Sequence, residues 1–141
     1  MDWPEPVARV ATALRAAGIE ARIEELGGAR TADAVGADES QLVDTQLFTA
    51  GGRVVMALIP GGSRVDPDIL ALLAGGDVEP AGFGEAPFPP REGALVLADR
   101  ALLAHDRVWI PAGSPRHLAS LTPSDLIRLT RARTVGLVRG G

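Results

Sequence analysis

The chain contains no cysteine, no lysine and no tyrosine, and it has only two histidines, three phenylalanines and two tryptophans. Without cysteine there is no disulfide framework, no thiolate nucleophile and no cysteine-ligated zinc, a composition compatible with a cytoplasmic protein. His105 and His117 are too few and too far apart in sequence to suggest a metal centre, so no metal and no cofactor is expected. Five scattered rings do not make a stacking platform for single-stranded nucleic acid. No apolar run approaches the roughly 18 residues of a membrane span. The opening MDWPEP is acidic and proline-containing, unlike a signal or transit peptide. Neither a membrane nor DNA is expected as a partner.

All 14 basic residues are arginine. With abundant Ala, Gly and Pro, this fits a codon bias that exchanges Lys for Arg; it does not explain an acid where a base is expected. The net charge of −4 hides an asymmetry: residues 107–141 hold six Arg against one acid, and residues 1–106 hold eight Arg against 17 acids. A basic C-terminal third suits an anionic partner such as RNA, and it equally suits a solvated helix face carrying Arg128, Arg131 and Arg133.

At 141 residues, 46% hydrophobic and 23% charged, the chain reads as one folded domain, 1–141. Val7, Val10, Ala11 and Leu14 recur at helical spacing before Gly18, which predicts a first helix ending at Ala17. A short strand is expected at 19–23 and a short helix at 31–35. A hairpin over 43–49 and 53–60 turns at Ala50-Gly51-Gly52. Asp66-Pro67 and Thr122-Pro123 are helix starts, each an N-cap followed by a first-turn proline. Residues 80–93 read as loop, and strands are expected at 94–98, 107–110 and 135–138. Strands and helices do not alternate regularly, so the expected class is α+β, with a mixed, curved sheet flanked by helices.

Several chemistries are set aside. "PGGSR" lacks the Lys of a phosphate-binding loop, and no GxGxxG opens a helix. Ser114, His117 and Asp106 or Asp125 can be written as a triad, but Ser114 lies in a Gly-Ser-Pro turn rather than on a GxSxG elbow. The unusual stretch is "QLVDTQLF", where Asp44, Thr45 and Gln46 interrupt an apolar strand and alternation puts Asp44, Gln46 and Phe48 on one face.

In order along the chain, "VARVATALRAAGI", "QLVDTQLFTAGGRVVMALIPGGSRVD", "GEAPF", "LVLADRALLAHDRVWIPAGSP" and "LTPSDLIRLTRARTV" resemble the YbaK/ProRS-associated domain, the family of aminoacyl-tRNA deacylases that edit mischarged tRNA. The resemblance runs from about Val7 to Leu137. It implies a barrel-like mixed sheet, hydrolysis of the aminoacyl ester, the aminoacyl-tRNA 3′ end as a weakly bound partner, and an association with a synthetase. The family's V-K-T-L-V-F strand is here VDTQLF, so Asp44 stands where the pocket Lys is expected and Gln46 where a Leu is. The pocket loop Gly-Gly-Val-Ser-Pro-Phe-Gly is matched at 83–89, retaining Gly84, Pro87 and Phe88. By this likeness Asp44, Gly84 and Gly113 are the candidate catalytic residues. Thr45, Gln46, Pro87, Phe88 and Ser114 are candidates for substrate binding, and Arg128, Arg131 and Arg133 for tRNA contact. Loss of the Lys leaves two readings open: an editing enzyme rebuilt around a carboxylate, or a non-catalytic module binding tRNA, an amino acid or a partner protein. Asp44 itself is either a pocket residue or a charge on a solvated strand edge.

Overall fold

The computed structural model describes residues 4–26, 36–80, 93–112 and 116–138. The expected helix at 31–35 lies outside them. Helix α1 (Glu5–Ala16) buries Val7, Val10 and Leu14 on one stripe. Gly18, at φ +69°, ends it: its N–H donates to Arg15 O and that of Ile19 to Leu14 O, a Schellman closure. Strand β1 (Arg22–Glu25) follows, and a 3₁₀ turn (Glu39–Gln41) leads into the hairpin of β2 (Val43–Ala50) and β3 (Arg53–Pro60).

Helix α2 (Pro67–Ala74) starts as the sequence predicts. Asp66 Oδ1 accepts the N–H of Asp68 at 3.0 Å and of Ile69 at 3.5 Å, and Gly75 closes the helix in the left-handed region. Then come β4 (Glu79–Pro80), β5 (Leu95–Asp99), a second 3₁₀ turn (Arg100–Ala104), β6 (Val108–Pro111), β7 (His117–Leu121), α3 (Pro123–Thr130) and β8 (Arg133–Val135). Strand β4 has no sequence signal; its two residues are strand only because they pair with Phe48 and Thr49.

The class is α+β, as expected, with a mixed sheet flanked by helices. The described strands form two sheets, β1-β7-β6 and β4-β2-β3-β5-β8, with no closed barrel. Strand β3 is buried on both faces: Val55, Met56, Ala57, Leu58 and Ile59 are all at most 1% exposed. Met56, Leu58, Val96 and Ala98 meet α1, α3 and the three-stranded sheet in one core. Val55, Ala57, Ile59 and Leu97 face the other way, against Leu70 of α2 and Leu137.

Helix α3 ends differently from the other two. Its C-cap, Arg131, has φ +56° and is the one non-glycine residue at positive φ among those described. A Cβ makes this conformation unfavourable, whereas glycine adopts it freely. Arg131→Gly is therefore expected to stabilise the protein by about 0.5–1 kcal/mol, part of the gain being offset by the freer unfolded chain. A raised urea midpoint with an unchanged slope is the expected readout; a lowered midpoint would contradict it.

Candidate ligand-binding site

Strand β2 positions the site. Register pairs Asp44 with Ile59, Gln46 with Ala57 and Phe48 with Val55. Cross-strand partners share a face, so these three residues lie on the α2 side of the large sheet. Thr45 and Leu47 alternate to the other side, opposite Leu58 and Met56. Thr45, expected to bind substrate, thus does not share the face of Gln46.

Gln46 and Phe48 line a cavity of about 220 Å³ together with Arg64, Val65, Pro67 and Leu70. Ala57 beside Gln46 is one reason there is space, since a larger side chain there would fill the same face. Leu70, fully buried, supplies an apolar wall, while Arg64 is exposed. The loop carrying Arg64 is tied on three sides. Asp66 caps α2, the Asp66 N–H donates to Leu137 O at 2.8 Å, and Val65 forms a bridge with Val138. A site held by such backbone anchors needs little reorganisation to bind.

Asp44 is exposed, and among the described residues it is not part of the cavity wall. It stands two residues from Gln46 on the same strand face, about 7 Å along β2. Gly84, Pro87, Phe88, Gly113 and Ser114 lie outside the described residues. Arg128, Arg131 and Arg133 are all exposed. Arg128, exposed, pairs with Asp125 at 3.0 Å on α3, which packs on the opposite side of the large sheet. Arg133 pairs with Leu97 in register, on the face of Gln46 but across the sheet.

Sequence reading missed Arg64. Its only signal was the PGGSR stretch, which was weighed as a phosphate loop and set aside; the cavity depends on pairing and helix packing that the stretch does not encode locally. His117 is 4% exposed, with Nε2 3.4 Å from a Glu25 carboxylate oxygen. The second strand of a central hairpin pair buries it: β7 lies between β1 and β6. No cluster of metal-ligating side chains occurs among the described residues. A larger groove, about 390 Å³, runs between α1 and β1 and contains none of the residues expected from the sequence.

Solved structures share this arrangement across nearly the whole chain. One is of a candidate trans-editing enzyme for prolyl tRNA synthetase, 29% identical, with a TM-score of 0.88 and coverage of 99% of this chain and 100% of that one. The chain is similar to a YbaK-like editing domain in fold and over its full length. A scaffold protein used for computational epitope grafting is also 29% identical, with a TM-score of 0.86 and coverage of 99% and 100%. A hypothetical protein 23% identical matches over 93% of this chain and 99% of its own, at a TM-score of 0.85, and shares the fold. No protein-family model and no curated protein matches the chain. No helix among the described residues is long and apolar enough to cross a membrane.

Proposed function

We propose that this YbaK-like protein is an editing deacylase that hydrolyses the ester joining an amino acid to the tRNA 3′ end. The observation that carries the reading is the likeness to a candidate trans-editing enzyme over both full chains. The cavity beside Gln46 supports it, being small, largely apolar and set at the strand that the family resemblance associates with the pocket.

In this reading the aminoacyl side chain enters the cavity against Phe48 and Leu70. Gln46 offers an amide to the acyl group, and Asp44 attracts the ammonium that every aminoacyl ester carries. Backbone donors at Gly84 and Gly113 polarise the ester carbonyl, and the attacking water is activated by the substrate's own ribose hydroxyl. Pro87, Phe88 and Ser114 complete the binding set. Arg128, Arg131 and Arg133 contact the acceptor backbone weakly, and an aminoacyl-tRNA synthetase is the partner that supplies the mischarged tRNA. The cytoplasm, where charging occurs, is the compartment.

The exchange of Lys for Asp44 favours a second reading, a binding module without catalysis. Assay of a panel of aminoacyl-tRNAs separates them. If the deacylase reading holds, the wild type hydrolyses at least one ester and Asp44→Ala loses tenfold or more in kcat/KM, mostly through KM. A wild type inert on every ester, with slight activity appearing in Asp44→Lys, would leave the binding module.

A further inference from the structure

The cavity on β2 has a polarity that the proposed chemistry does not use. Its wall is apolar at Phe48, Val65 and Leu70, and its one charged lining residue is Arg64, which is exposed. No carboxylate among the described residues forms an ion pair with that guanidinium. The backbone anchors of residues 65 and 66 hold the loop in place, so the charge is presented at the mouth of a preformed hollow.

We propose that Arg64 is an anion-binding, specificity-determining residue: the cavity takes a ligand with a short apolar body inside and a carboxylate or phosphate at the rim, against Arg64. The proposal rests on the reading of this cavity as the acyl-group site. Its chemistry is that of a guanidinium, which grips planar or tetrahedral oxyanions through paired N–H donors. A ligand enters apolar end first, because the fully buried Leu70 offers nothing to a charge and Arg64 offers much. Two sources supply such an anion, the carboxylate of a free amino or acyl acid and the last phosphodiester before an RNA 3′ end. The volume, about 220 Å³, is below the roughly 300 Å³ at which drug-sized pockets begin and suits a body of a few carbons.

The test is an amide-resolved NMR titration of the full chain with three probes sharing one apolar body: 3-methylbutanoate, 3-methylbutyl phosphate and the neutral 3-methylbutanamide. Shifts are expected at residues 46–48 and 64–70, with the better anion binding at least tenfold tighter than the amide. That advantage disappears in Arg64→Ala, returns in part in Arg64→Lys and shrinks as salt is added. A stronger carboxylate identifies the free acid as the source, and a stronger phosphate the RNA end. Equal binding of amide and anions, an anion advantage that survives Arg64→Ala, shifts centred elsewhere, or no binding of any probe would overturn the proposal. A chain that prefers anions through Arg64 yet hydrolyses no aminoacyl-tRNA keeps this assignment and loses the deacylase reading. The reverse result keeps the deacylase and discards Arg64.

Discussion

Asp99→Ala is expected to destabilise the protein by roughly 3–5 kcal/mol, seen as a fall in Tm of about 10–15 °C. Asp99 is 3% exposed, at the end of β5. Its Oδ1 accepts the N–H of Leu137 at 2.7 Å and of Val138 at 3.2 Å, and its Oδ2 accepts that of Ala101 at 3.0 Å. One carboxylate therefore starts a 3₁₀ turn and pins the C-terminal segment 38 residues away. Alanine would leave three backbone donors without this acceptor, each costing about 1–3 kcal/mol where water cannot reach it. The loss extends to the ligand cavity, since Leu137 and Val138 hold the Arg64 loop through Asp66 and Val65. Asp99→Asn keeps one carbonyl acceptor but turns an amino group towards a donor, and about half the loss is expected. Thermal unfolding of both variants checks this; a shift of under about 3 °C for Asp99→Ala would show that the segment is held by other contacts.

The second large effect is functional. Gln46→Trp is expected to lower kcat/KM for aminoacyl-tRNA, or affinity for 3-methylbutanoate if the protein only binds, by at least about 100-fold, or roughly 2.7 kcal/mol. Gln46 is half-buried and contributes a wall of the cavity, so an indole at this position occupies space the ligand needs. Stability should change by about 1 kcal/mol or less, because the ring fills a hollow rather than a packed core. Gln46→Ala is the contrasting variant. It removes the amide and keeps the space, and a loss of about tenfold or less is expected. If both variants lose equally, the amide and not the volume is what matters; if the tryptophan variant remains fully active, the ligand binds elsewhere.

These two residues also show how far sequence reading reaches. Asp99 follows the strand expected at 94–98, and its cap on Ala101 is local enough to infer. Its bonds to Leu137 and Val138 were not visible, because nothing near residue 99 encodes what lies 38 positions on. Gln46 was singled out, correctly placed on a face with Asp44 and Phe48, by strand alternation alone. Arg64 was passed over, because its partnership with Gln46 is created by the hairpin and by α2 folding back on it. Thr45 entered the binding set through the family likeness, although strand alternation alone places it on the other face of β2 from Gln46.

The sequence by itself determined what depends on a few neighbouring residues: the starts of α2 at Asp66 and α3 at Thr122, the Gly18 stop, the β2–β3 hairpin, the α+β class and the likeness to the YbaK/ProRS-associated domain. Capping and turn chemistry act within about four residues, so they survive translation from a string. Tertiary structure decided the rest. It divided the strands into two sheets, made a strand of β4, buried His117, forced Arg131 into a left-handed cap, and brought Gln46 and Arg64 to one open hollow. Each of these is set by strand pairing or packing across long separations, where the energy lies in contacts between segments and not within any one of them.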